Sequence, residues 1–490
     1  MKRIEHIVVL LLENRAFDHM FGFVEAPRGQ SIDNIRTLDA VPANLLDPSR
    51  AESASNPSFA VAEPAPFAVH DREGPSHSFN AVNTQLTNSL TGPSGSNPIL
   101  NNGFVRSYAD DLLRRTHTVD HDHVAEVMQC FSAKQLPAIN QLAREFCLCD
   151  RWHCDVPGPT MPNRMFMHAA TSEGYVHNNF KRPYSSKTIY ELVEEKGLTW
   201  ATYFHDLNEV LQFQKLAQTP AHFRRFEAWA TDVADGNLPN YTFLLPRFLN
   251  ARGNAGETLA ANSQHAPEDA RFADHLIADV YDALAGNEVL FAKTALIVTY
   301  DEHGGFYDHV KPGPAVNPDG QNSPNPDDRA TFHVPFFAFD RIGLRVPTVI
   351  VSPWIAAGTV EHRLLQHTSV IKTTTEIFDL NGPLNRRDQS ASSFADLFQR
   401  LPAPRKAQEM PRKLDRPPLK NIVESVVAGV AVHAADEPLD SLTEEWTAGM
   451  LAMIKRPGGG VATTEALEVP PATQGQASSA IEARLRSAGL

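Results

Sequence analysis

The sequence predicts an α/β sandwich, with a largely parallel sheet buried between helices. Three observations carry that expectation. Residues 7–12, 294–300 and 347–352 are continuously apolar and rich in β-branched side chains, as strands buried on both faces are. Helical periodicity occupies 186–196 and 269–285, between the first two runs. A polar cluster follows each run, and open α/β sheets bind ligands at the carboxyl ends of their strands.

Taken in order, the first run (IVVLLL) stops at Glu13-Asn14. Residues 28–75, rich in Pro, Ala, Ser and Asp without a sustained period, read as a loop insertion. In 269–285, Phe272, Leu276, Ile277, Val280, Tyr281 and Leu284 fall on one helical face. The second run (TALIVTY) leads into Asp301-Glu302-His303-Gly304-Gly305. Turn-formers throughout 311–330 mark a second insertion. The third run leads into Ser352-Pro353-Trp354. One catalytic domain is expected over 1–455, followed by a flexible tail over 456–490 that closes with a short helix at 480–488.

Bulk composition excludes several classes. The 490 residues carry a formal charge of −14, against broad nucleic-acid binding, which needs a concentrated basic face. Charged residues make up 21%, too few and too mixed in sign for a disordered chain. No apolar run approaches the roughly 18 residues of a membrane span. Residues 7–12 are shorter than a signal-peptide core, so the chain as written reads as cytoplasmic or as having already lost a leader. Cys130, Cys147, Cys149 and Cys154 lack paired C-x2-C spacing and read as buried reduced thiols, with one optional disulfide, rather than a zinc site.

The polar clusters supply Glu13, Asn14, Asp301 and Glu302, hard oxygen ligands arriving from separate strand ends, as a divalent cation requires. Gly304 and Gly305 remove side-chain bulk where a phosphate-sized group would approach. Thr160 lies between Pro159 and Pro162, a constrained hydroxyl suited to covalent catalysis once its pKa is lowered. Each feature alone also has an ordinary reading: a helix start at Glu13, a solvated strand end at Asp301-Glu302, a turn at Thr160.

These residues also carry a resemblance. Residues 13–19 (ENRAFDH) resemble the ENRSFDH opening of the phosphoesterase family of phospholipases C and acid phosphatases, with Ala16 in place of Ser. Residues 160–164 (TMPNR) resemble its nucleophile loop, and 301–309 (DEHGGFYDH) its Asp-Glu-His block. Val346-Pro347, Ser352-Pro353-Trp354 and His367-Thr368-Ser369 are similar to its last block. The run 158–172 is most similar to plant non-specific phospholipases C and their bacterial relatives. The resemblance places the chain in the alkaline-phosphatase superfamily and implies a three-layer α/β/α sandwich with a mostly parallel central sheet. It also implies one divalent metal ion, of identity Ca, Mg, Mn, Fe or Zn, held by Glu13, Asn14, Thr160, Asp301 and Glu302. Thr160 would be the nucleophile, forming a phosphothreonine, and His77 the leaving-group acid. Asn163, His265, His303 and His367 would contact phosphate or substrate.

The expected activity is that of a phospholipase C releasing diacylglycerol from a phospholipid such as phosphatidylcholine. An acid phosphatase with the same machinery is the alternative, and a non-catalytic phosphate- or membrane-surface-binding protein fits less well. Partners are a phospholipid or small phosphoester and, transiently, a membrane surface; family members are commonly exported. Trp152, Trp200, Tyr203, Phe204 and Trp354 read first as core aromatics and alternatively as an aromatic rim for lipid or choline. His117 and His121-Asp122-His123 match no family motif. Asp308 and His309 read as orienting the neighbouring loop, Arg164 as anchoring its own, and His168 as packing.

Overall fold

An eight-stranded sheet forms the centre of the computed structural model, which describes residues 3–178, 183–252, 258–324, 335–419, 447–448, 471 and 473–488. Its strands are β1 (His6–Leu12), β2 (Cys147–Cys149), β3 (Trp200–Phe204), β4 (Phe223–Arg225), β5 (Tyr241–Leu244), β6 (Thr294–Tyr300), β7 (Thr348–Val351) and β8 (Thr359–Glu361). They lie in the order β8-β2-β7-β6-β1-β5-β3-β4. Val8 to Leu12 are fully buried, each aliphatic side chain contributing about 1.5–3 kcal/mol.

Register positions the site. β1 runs parallel to β6, from His6 beside Thr294 to Leu12 beside Tyr300. The two strands therefore end level, and Glu13-Asn14 and Asp301-Glu302 leave the sheet side by side. β1 also pairs in parallel with β5, β5 with β3, and β3 with β4.

β7 departs from this direction. It is antiparallel to both β6 and β2. Ser352-Pro353-Trp354 therefore emerge at the opposite end of the sheet, where Ser352 Oγ donates to the Thr294 carbonyl at 2.9 Å. The third polar cluster does not join the other two. An apolar run records that a strand is buried, not which way it runs.

Helices cover the sheet in two groups. Pro137–Glu145, Trp229–Ala234 and Ala270–Gly286 pack together; Thr160–Ala169, Ile189–Glu195 and Thr368–Phe378 form the other group. The fold is thus the α/β/α sandwich expected. Both helices read from periodicity are present with local starts: Thr188 and Glu191 form a capping box, and Asp269 accepts from the Arg271 N–H.

Within 28–75, one short antiparallel pair joins Ala43–Leu45 to Ser58–Ala60. The second insertion is described to 324. In the tail, residues 456–470 lie outside the described residues. The closing helix runs from Gln474 to Ala488 rather than starting at 480, and it is seated on the core through Ala477, Ile481 and Leu485. Their spacing of four residues puts all three on one face.

No helix among the described residues is long and apolar enough to cross a membrane. All four cysteines are free and buried, and burial pushes the Cys130, Cys149 and Cys154 thiols up.

Candidate active site

Glu13 and Asn14 begin where β1 stops, and Asp301 and Glu302 where β6 stops. Asn14 takes a left-handed conformation, φ 59°, which turns the chain sharply at the strand end. Its N–H donates to Asp301 Oδ1 at 3.0 Å, and the Glu302 N–H donates to the same oxygen at 2.7 Å. Both loops thereby converge on one carboxylate.

The two glycines serve a different purpose from the one expected. Gly304 and Gly305 have φ of +67° and +77°. A Cβ at Gly304 would fall 2.2 Å from the Asn14 carbonyl oxygen, and one at Gly305 would fall 2.8 Å from Pro75 Cβ. The space left by the missing side chains is filled by the protein's own backbone, not left for phosphate. That close approach carries the Pro75-Ser76-His77 loop onto the site. There His77 Nε2 lies 3.9 Å from Glu302 Oε1 and its ring 5.9 Å from that of His265.

Thr160 opens the helix Thr160–Ala169, and Arg164 lies one turn further along the same face. Arg164 is fully buried and meets three carboxylates: Asp301 at 3.2 Å, Glu13 at 3.3 Å and Glu209 at 2.9 Å. Arg164 therefore reaches beyond its own loop. Thr160 Oγ1 is buried without a hydrogen-bond partner, whereas Glu13 Oε1, which makes no hydrogen bond either, has the Arg164 ion pair at 3.3 Å. Burial first, and then Asp301, push the Glu13 carboxyl well up; burial likewise raises Glu302, against His77.

These features fit a divalent cation. Glu13, Asp301 and Glu302 are each at most 2% exposed, and Arg164 reaches Glu13 and Asp301 but not Glu302, so full ionisation would leave negative charge uncompensated inside the protein. The Asn14 carboxamide oxygen faces Glu302 Oε1 at 2.6 Å and Asp301 Oδ1 at 3.3 Å, acceptor against acceptor. A cation among them resolves the clash. So does turning the amide over, when its nitrogen donates to both carboxylates and its oxygen accepts from His265 Nε2 at 3.1 Å. The donor set is all oxygen, as a hard cation prefers.

A second acidic cluster stands nearby. Asp18, Asp308 and His309 bring their ligand atoms within 4.8 Å of one another, the one such trio among the described residues. Arg345 already neutralises it, donating from Nε to Asp308 Oδ1 at 2.9 Å and from Nη2 to Asp18 Oδ1 at 3.1 Å. This is an ion-pair network that ties the 301–309 loop to residues 17–21, in keeping with the orienting role expected of Asp308 and His309.

Comparison with known proteins places the chain in a family. The model of the phosphoesterase family matches residues 4–381. The chain belongs to the phosphoesterase family. It is 33% identical to non-specific phospholipase C1 of Arabidopsis thaliana over 430 residues, which cover 84% of this chain and 73% of that one. It is 27% identical to phospholipase C B of Mycobacterium tuberculosis over 477 residues, 88% of this chain and 85% of that one. Among solved structures, a protein in the alkaline phosphatase superfamily from Vibrio parahaemolyticus aligns at a TM-score of 0.31 and 12% identity, covering 52% of this chain and 64% of that one. At that score the likeness says nothing further. This phosphoesterase is a hydrolase acting on phosphoric ester bonds.

Not every expected phosphate contact faces the phosphoesterase site. Asn163 accepts from the Val156 N–H at 2.8 Å and donates to the carbonyls of Val156, Gly158 and Pro159, so its amide is spent on the loop before Thr160. His367 accepts from Trp152 Nε1 at 3.3 Å through Nδ1, which leaves Nε2 to donate to the Asp301 carbonyl at 2.6 Å. It braces Asp301 from behind. His303 Nε2 donates to Gln85 Oε1 at 2.8 Å, and burial holds the ring's pKa down at about 3. His77 and His265 are the two expected contacts with some exposure.

The aromatic rim does not form. Trp152, Trp200, Tyr203 and Phe204 are buried in the core, and Trp354 lies at the far end of the sheet, donating to the Ala292 carbonyl. The His121–Ala125 helix is capped by Asp120, and His123 stacks on His70.

Sequence reading also missed Glu209, Gln85 and Arg345 as supports. Each acts across a long stretch of chain, 45 residues for Glu209 to Arg164 and 218 for Gln85 to His303. No local pattern marks such partners.

The Asp18 network predicts a pH dependence of stability. Burial alone would lower the His309 pKa, but hydrogen bonds to Asp18 and Asp33 override it and hold it at about 9. A folded-state value above the unfolded ~6.5 stabilises the fold fully below pH ~6.5, and the contribution is lost as pH rises through 9. The loss is expected to be about 3 kcal/mol. Urea denaturation at pH 6 and pH 9.5 measures it, and His309→Gln should flatten the difference. An unchanged difference in that variant would assign the pH effect elsewhere.

Proposed function

We propose that this phosphoesterase is a phospholipase C, cleaving the bond between glycerol and phosphate in a phospholipid to give diacylglycerol and the phosphorylated head group. The observation that carries the reading is the 33% identity, over 84% of the chain, to a protein named as a non-specific phospholipase C. The reaction takes place where the chain meets a membrane surface transiently.

Glu13, Asn14, Thr160, Asp301 and Glu302 would hold one divalent cation. When bound it would favour the Thr160 alkoxide and neutralise charge on the phosphoryl oxygens. Thr160 Oγ1, its proton released to solvent, attacks phosphorus, forming a Thr–O–P bond as the bond to the glycerol oxygen breaks. His77 Nδ1 donates to the Pro75 carbonyl at 3.2 Å, which turns Nε2 toward the site. As the acid of this step His77, 3.9 Å from Glu302 Oε1, gives the Nε2 proton to the departing glycerol oxygen. Water hydrolyses the phosphothreonine, with His77 taking back a proton. His265, beside Asn14 and His77, is placed to contact the phosphoryl group.

Turnover of p-nitrophenyl phosphate, p-nitrophenylphosphorylcholine and phosphatidylcholine in mixed micelles, at pH 5 and pH 7.5, tests the substrate. The two choline diesters are expected to be preferred. Preference for the monoester would make the protein an acid phosphatase. Chelation should abolish turnover and added divalent cation restore it; full activity of verified metal-free protein would remove the cation from the mechanism.

A further inference from the structure

Arg164 is the cationic group that the mechanism above leaves without a task, and its surroundings assign one. Its Nε, Nη1 and Nη2 are directed at Asp301 Oδ2, Glu209 Oε1 and Glu13 Oε1. Two of these carboxylates would ligate the cation. The third, Glu209, follows β3 and is itself fixed: His168 Nε2 lies 3.3 Å from the same Oε1, and Tyr190 Oη meets His168 Nδ1 at 3.1 Å. All four side chains are fully buried. The guanidinium also stacks on Phe248 at 5.2 Å.

We propose that Arg164, held by Glu209 and His168, is a positioning residue that sets the geometry between Thr160 and the carboxylates Glu13 and Asp301. The inference rests on the reading of those two carboxylates as cation ligands. Its physical basis is the rigid fork of the guanidinium. One oxygen of Glu13 and one of Asp301 are held by a group on the same helix as Thr160, one turn away. Movement of that helix therefore moves hydroxyl and carboxylates together. Asp301 Oδ1 is fixed by the Asn14 and Glu302 N–H groups, so neither Asp301 oxygen is left to rotate. Partners that orient metal ligands in this way typically change affinity or activity by about 10- to 100-fold.

Arg164→Lys keeps the charge and loses the fork. It is expected to lower kcat by about 100-fold with little change in KM, and to weaken divalent-cation binding, measured calorimetrically with Mg, Ca or Mn and no substrate, by about 10-fold. Glu209→Gln should shift both quantities the same way by a smaller factor, since Arg164 then loses only its anchor. That variant keeps the inference testable where Arg164→Lys fails to fold. Wild-type cation affinity and kcat in a folded Arg164→Lys or Glu209→Gln protein would reduce Arg164 to a buried structural ion pair. A protein that binds no divalent cation at all, wild type included, would instead overturn the ligand reading beneath it.

Discussion

Thr160→Ala is expected to lower turnover by about 10³-fold or more, a rise of about 4 kcal/mol in the barrier, with the melting temperature nearly unchanged. The expectation follows from where the hydroxyl stands. Thr160 Oγ1 is buried and makes no hydrogen bond within the chain, whereas buried hydroxyls are almost always satisfied. It belongs to the first residue of a ten-residue helix, whose N-terminal dipole end favours negative charge beside it. Removing a hydroxyl that stabilises nothing in the fold costs little there, and removing a nucleophile costs nearly the whole reaction. Thr160→Ser retains the hydroxyl and should retain most activity. Single-turnover kinetics on both variants decide the matter. More than a tenth of wild-type turnover in Thr160→Ala would place the nucleophile elsewhere.

The second large effect is on stability. Arg345→Met should destabilise the protein by about 3–5 kcal/mol, because it leaves Asp308 buried without its cation and Asp18 with His309 alone. Arg345 is fully buried, and it also donates to the carbonyls of Asp33 and Asp150, each at 2.7 Å, while stacking on Phe17 at 4.3 Å. Denaturant titration at pH 6 gives the magnitude. Adding Asp308→Asn to Arg345→Met should recover part of the loss, since one orphaned charge is then removed. Equal stability of wild type and Arg345→Met would mean that water reaches the two carboxylates. Activity should fall as well, because the network holds the loop that carries Asp301 and Glu302.

The two predictions differ in how far sequence alone led to them. Thr160 was visible because prolines flank it and a motif surrounds it. The strand ends at Glu13 and Asp301 were visible because Leu12 and Tyr300 close unbroken apolar runs. Arg345 was not, since a single arginine between loop residues carries no periodicity; its partner Asp18 is 327 residues away. Asn163 and His367 illustrate a subtler limit. Both lie in motifs, and both spend their hydrogen-bonding groups inside the fold, Asn163 on backbone and His367 on the Trp152 indole and the Asp301 carbonyl, which only coordinates reveal. The same holds for Gly304 and Gly305, where residue type announced a close approach but not what approaches.

The direction of β7 has a consequence for how such a protein can diversify. β6 ends, and β7 begins, at the same end of the sheet as the candidate site. A parallel β7 would have required the intervening chain to cross to the far end and return beneath a helix. Here the link from 301 to 347 starts and finishes beside that site. Its first residues carry Asp301 and Glu302, its last carry Arg345, and the described part of the turn-rich stretch, 311–324, pairs with neither strand. Residues there can be inserted, deleted or exchanged without rethreading the sheet, so the fold keeps a zone for altering substrate choice apart from the part that must stay constant.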